Sequence, residues 1–166
     1  VRSPRYLLAL VLVLVVQATV FADMPVFGVR ADVVVLAGIA AALVGGAEQG
    51  AVVGFVAGLA FDLVHPAPWP LGLSALAYSL AAYLVGWLHA GGLAGVRAAA
   101  PLSALAGSVA GLVLFAGLGE MLDHGGLLTG RLVVVAAVVA AVNAALIRPA
   151  LRLARWTLPS ATTGVS

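Results

Sequence analysis

Residues 33–64 read VVVLAGIAAALVGGAEQGAVVGFVAGLAFDLV, an apolar stretch interrupted only by Glu48 and Gln49. As one helix it would be roughly 48 Å long at 1.5 Å per residue, well beyond a bilayer hydrocarbon core of about 30 Å. The polar pair sits at its middle, inside the small-residue run Gly45-Gly46-Ala47-Glu48-Gln49-Gly50. The stretch therefore reads as two short helices turning at that run, each close to the lower limit of about 17 residues for a membrane span. A hairpin of two apolar helices with no room for a soluble core makes this a polytopic membrane protein.

The rest of the chain agrees. Of 166 residues, 64% are hydrophobic and 8% charged, against about 45–50% and about 25% in soluble domains. So little polar surface cannot cover a globule in water. A soluble enzyme, a disordered chain and a nucleic-acid module are disfavoured. Continuous apolar runs, rather than strict alternation, indicate helices and not a barrel. There is no cysteine, which excludes disulfides, thiolate catalysis and Cys-based metal sites.

Polar punctuation divides the chain into six helices, at about 5–22, 31–47, 49–64, 71–89, 101–121 and 131–155. They form one polytopic domain over 1–158, with 159–166 as a small, polar tail expected to be disordered. The linker Asp23 to Asp32 contains Pro25 and Gly28, and His65-Pro66-Ala67-Pro68-Trp69-Pro70 cannot be helix interior. Ala90-Gly91-Gly92 is a stop signal. Pro101 suits the first position of the fifth helix. Pro149 is expected to kink or end the sixth. All eight cations are arginines. With six helices the termini share a side that holds Arg2, Arg5, Arg97, Arg148, Arg152 and Arg155, six of the eight. The positive-inside rule then places both termini in the cytoplasm. A competing reading of the N-terminus exists: Arg2 and Arg5, the apolar run and Val20-Phe21-Ala22 also resemble a secretory signal with a cleavage site, although the apolar run exceeds the usual length of such a region.

The third helix carries the densest pattern. Gly50, Gly54, Gly58 and Asp62 are spaced by four and share one face. Glycines so spaced let another helix approach closely. The first reading is packing within the molecule; the second is a seam with another chain. Asp62 stands near the C-terminal end of that helix, where the macrodipole disfavours an anion. It needs a partner: His65, an arginine or backbone amides of the proline loop. As an intramembrane acid it is also a candidate contact or switch. Ser103, Gly107 and Gly111 repeat the spacing on the fifth helix. Asn143, the one amide of the last helix, is expected to bond to a neighbouring helix. Glu48 and Gln49 read as solvated turn residues, with a partner contact as the alternative. Trp69, Trp87, Tyr6 and Tyr83 suit interfacial anchoring. Arg148, Arg152 and Arg155, with Trp156, suit anionic headgroups or a cytoplasmic partner. His65, His89 and His124 lie apart, without metal-ligand spacing. No phosphate-binding loop, nucleophile elbow or transmembrane proton relay is present. The reading is of a non-enzymatic protein without cofactor or metal.

Gly54-Phe55, Gly58-Leu59 and Asp62, followed by Leu71-Gly72-Leu73-Ser74-Ala75-Leu76, resemble the rod shape-determining MreD family, with its Gly-Phe-x-x-Gly-Leu-x-x-Asp run, short loop and Leu-Gly-x-x-Ala-like helix start. The motif spans Gly50 to about Gly86; beyond it the likeness is one of hydropathy and length. What the resemblance implies is a scaffold in the bacterial cytoplasmic membrane. Its partner would be an MreC-like single-span protein and, through it, MreB filaments and the RodA–penicillin-binding-protein synthase of peptidoglycan. It also implies an architecture similar to the six-helix substrate-binding subunits of energy-coupling-factor transporters. Of the family motif, Gly54, Phe55, Gly58 and Asp62 carry over as structural or interface positions. Two alternatives come from other classes. A vitamin-transporter subunit would need a polar outer pocket drawn from Asp62, His65, Glu120, Asp123 and His124. An assembly subunit of a larger complex would associate stably with a catalytic chain.

Overall fold

A computed structural model describes residues 4–17, 33–64, 70–93, 99–122 and 130–157. Among them there is no β-strand, and six helices follow one another: α1 (Pro4–Val16), α2 (Val34–Gly45), α3 (Ala47–Val64), α4 (Leu73–Leu88), α5 (Ala99–Met121) and α6 (Arg131–Thr157), with a π-type turn over His89–Leu93. Four helical stretches, Ala47–Val64, Leu73–Gly92, Ala99–Met121 and Leu132–Thr157, are long and apolar enough to cross a membrane. The protein is thus an all-α membrane protein, with large apolar side chains such as Leu63, Trp87, Val113 and Val133 facing outward.

The hairpin at residues 33–64 is present but tighter than the sequence suggests. Gly46 alone separates α2 from α3. Its φ of 90° belongs to a glycine, and its N–H bonds to the Ala42 carbonyl at 2.9 Å. Glu48, Gln49 and Gly50 are consequently not turn residues. They form the first turn of α3, where the positive end of the helix dipole favours the Glu48 carboxylate. With 12 residues, α2 is roughly 18 Å long and falls short of the expected 31–47 and of a span. The reason lies in its surroundings. Val34, Leu36, Ile39, Ala40, Ala41 and Ala42 are all buried, because α2 is packed against α3, α4, α5 and α6. A helix apolar all round belongs in a core, and a helix shielded by protein need not match the lipid in length.

One further expectation is corrected and another is narrowed. Pro101 is the third residue of α5, after Ala99 and Ala100, still within the turn whose N–H groups lack intrahelical partners. Pro149 does not end α6, which continues to Thr157; membrane helices tolerate proline when neighbours shield the freed carbonyl. The stop at Gly91-Gly92 is realised as the π-type turn, with Gly92 at φ 149°. The expected linker 23–32, the end of the first helix at 18–22, the cleavage-site reading at 20–22, the proline loop at 65–69, Arg2, Arg97, Asp123, His124 and the tail 159–166 lie outside the described residues.

Close packing of α2, α3 and α4 rests on missing side chains. A Cβ at Gly58 would lie 2.7 Å from the Ala75 N and Cα and from the Ser74 carbonyl oxygen. One at Gly54 would lie 2.7 Å from the Tyr78 carbonyl oxygen, and one at Gly38 would lie 2.9 Å from the Gly54 Cα. These neighbours are backbone and cannot swing aside. Gly117, by contrast, has open space around it. Gly58→Ala should therefore destabilise the protein by about 1–3 kcal/mol through overpacking, whereas Gly117→Ala should be neutral or stabilise by up to about 1 kcal/mol through helix propensity. Thermal unfolding of the two variants in one detergent checks the contrast; equal melting temperatures would remove the close-contact argument.

Candidate functional site

The α3 motif splits into two faces. Gly50, Gly54, Gly58 and Asp62 point inward and are buried. Gly50 meets Ala42 of α2, while Gly54 and Gly58 meet the backbone of α4. These glycines hold the molecule together internally and present nothing to another chain. Phe55 does not join them. It is 45% exposed at the flank of that inward face, with Val52 and Leu63 also exposed nearby along the helix. That outer face is the part of the motif open to a partner.

Asp62 finds its partners at the start of the next helix. Its Oδ2 accepts the Gly72 N–H at 2.9 Å and the Ser74 N–H at 3.2 Å. Gly72 is the N-cap of α4, held at φ 97° and lacking a cap from its own side chain. A carboxylate from the end of α3 therefore takes the place of a local capping residue. The sequence argument set Asp62 against the negative end of α3. The adjacent α4 turns this around, because its N-terminus offers free N–H donors and the positive end of its dipole. The carboxylate is 6% exposed, so these two bonds act in a shielded site.

A second cap of the same kind was not legible beforehand. Gln17, buried just past α1, accepts the Val33 N–H on its Oε1 at 2.8 Å, at the threshold of α2. Each of the hairpins α1–α2 and α3–α4 is thus closed by the side chain of one helix on the amide of the next. The available signal was slight: Gln17 is the only amide in the first apolar run.

On α5, Ser103, Gly107 and Gly111 are buried. A Cβ at Gly107 would press on Ile39 of α2 and Val85 of α4, and one at Gly111 on Val35. The polar contact of this helix lies one residue along. Asn143, fully buried in α6, donates from Nδ2 to the Ser108 Oγ at 2.8 Å. The interhelical bond expected of Asn143 is therefore made, to a serine that the four-residue spacing had passed over.

Arg148, Arg152 and Arg155 are exposed along α6. Separations of four and three residues keep them within about 60° of one another around the helix. Trp156 stands beside them, 50% exposed. Trp87 and Tyr83 are exposed on α4, as anchoring requires. Next to the arginines, a groove of about 530 Å³ opens between α1, α2 and α6. Its walls are apolar apart from Arg152, Trp156 and Thr157 on α6, and the Thr157 hydroxyl is turned back onto the Leu153 and Ala154 carbonyls at 3.1 Å. Among the described residues no three metal-ligating side chains come together.

The fold and these contacts define an all-α membrane protein in which buried Gln17, Asp62 and Asn143 bond to the start of the next helix or to a neighbouring helix. Compared with family models, curated proteins and solved structures, the chain matches none.

Asp62→Ala should cost about 1–3 kcal/mol, because the Gly72 and Ser74 N–H groups lose their acceptor in a buried setting. Asp62→Asn keeps one carbonyl acceptor and should recover most of that loss. If Asp62→Ala melts with the wild type in a thermal scan, the cap contributes nothing to stability.

Proposed function

We propose that this chain is a non-catalytic scaffold of the bacterial cell-elongation complex. It would sit in the cytoplasmic membrane with six spans and both termini inside. It would bind an MreC-like single-span protein and thereby couple MreB filaments to the RodA–penicillin-binding-protein synthase. The observation that carries this reading is the division of labour within the α3 motif. Gly54, Gly58 and Asp62 are consumed in fixing α3 to α4, while Phe55 of the same motif faces outward on a rigidly held helix. That is what a scaffold needs: an invariant internal frame and an apolar anchor for a partner helix, since association in lipid is driven by packing. The placement of arginines supports the orientation, because Arg148, Arg152 and Arg155 cluster at the end of α6. Of the polar groups that a vitamin-transporter subunit would use, Asp62 holds the α4 cap through Oδ2, while its Oδ1 is buried without a hydrogen-bond partner among the described residues.

Mild-detergent purification from a rod-shaped bacterium, followed by native mass spectrometry, tests this. The expected result is co-purification of a single-span protein with an extracytoplasmic domain and of cell-wall synthases. Phe55→Ala should lower recovery of that protein about tenfold or more, the loss typical of a truncated aromatic anchor, at an unchanged melting temperature. A stoichiometric vitamin-sized molecule together with ATPase subunits would replace the scaffold reading with the transporter one.

A further inference from the structure

We infer that the groove between α1, α2 and α6 is a specific site for one anionic phospholipid, with an acyl chain along the groove and the phosphate on Arg152. The inference does not depend on which protein partner the chain has. Three observations carry it. The groove volume of about 530 Å³ falls within the roughly 300–1,000 Å³ of small-molecule sites. Its walls are built from Leu12 and Val16 of α1, Leu36 and Ala40 of α2, and Leu153 and Ala150 of α6, which offer no hydrogen bond to a polar ligand but match a hydrocarbon chain. The polar contribution comes from α6 alone, and its only charge is cationic.

That contribution has the chemistry of a headgroup site. Arg152 lines the groove, and its planar guanidinium can donate two parallel N–H bonds to phosphate oxygens. Arg148 and Arg155 stand on the adjoining strip of the helix and add positive potential without entering the groove. Trp156 also lines it, an indole suited to the boundary between hydrocarbon and headgroups. The Thr157 hydroxyl, bonded to its own helix, leaves its methyl group for the wall. Charge complementarity thus selects an anionic lipid over a zwitterionic one. It also argues against a second copy of this chain, whose equivalent α6 strip would bring arginines against arginines.

The α1 wall gives the site a consequence. Leu8, Val11 and Val15 of α1 are at least half exposed, and α1 rests only lightly on the bundle, tied at its end by the Gln17–Val33 bond. A lipid chain filling the space between α1 and α6 would complete the packing that protein side chains leave open.

The test uses the full chain in nanodiscs of phosphatidylglycerol, phosphatidylcholine or an equal mixture. The chain is then released for native mass spectrometry, with inorganic phosphate as a separate arm. The wild type should retain one phosphatidylglycerol per chain from the mixture and no phosphatidylcholine. Arg152→Gln should lower that retention at least about fivefold, and Ala150→Phe, which fills the groove, should abolish it. Arg155→Gln, outside the groove, should lower it less than Arg152→Gln does. Circular dichroism of each variant establishes that it is folded. Retention by Arg152→Gln equal to the wild type, equal retention of both lipids, binding of free phosphate without lipid, or a lipid-free dimer would each overturn the assignment.

Discussion

Backbone touching backbone is the constraint on which this molecule is built. At the points where α3 comes nearest its neighbours, glycines stand in place of large side chains. Gly54 and Gly58 lie against the carbonyls and amides of α4, and Gly38 lies against Gly54 across the α2–α3 pair. In water such an interface would forgo much of the hydrophobic gain. In lipid, where removing apolar surface from the solvent yields little, dispersion between closely apposed helices is the main attraction available. Close approach in turn brings polar groups of one helix within reach of the ends of another. Asp62 can cap α4 only because Gly58, one turn earlier on the same face, has allowed α4 to come so near.

From the same constraint follows the position of α2. Three of its neighbours present small residues toward it: Gly50 and Gly54 from α3, Gly107 and Gly111 from α5, and Ala82 from α4. The bundle therefore closes around a helix too short to span the bilayer unaided, and its larger residues, Val34, Leu36 and Ile39, fill what the small ones leave. A groove of about 530 Å³ lies at the periphery, beside α1, where the packing is loose.

How much of this was legible in the sequence depended on whether the signal was local. The four-residue spacing of Gly50, Gly54, Gly58 and Asp62 placed them on one helical face because periodicity is a property of the helix itself. Helices α3 to α6 begin and end within two residues of where polar punctuation put them. Which neighbour each face meets was beyond reach, since that depends on the arrangement of all the helices. Asp62 looked badly placed against its own helix dipole, and only the adjacent start of α4 explains it. Gln17 and Ser108 went unnoticed for the same reason: each bonds across helices to a residue 16 and 35 positions away, respectively. The turn at Gly46 was placed too broadly because a single residue with positive φ does the work assigned to six. The groove, formed where α6 meets the first two helices of the chain, left no trace in any one of them.

Helix contacts made through glycine also set the direction of mutational risk. In most proteins the core is damaged chiefly by truncation, and enlargement is the rarer injury. Here the positions that matter most already carry the smallest side chains, so nothing can be removed from them. Every single-nucleotide change that alters the residue at a glycine codon adds atoms, and the receiving surface at Gly54 and Gly58 is main chain with nowhere to go. At these contacts the harmful change is growth of a side chain, and the outward faces are where added atoms find room.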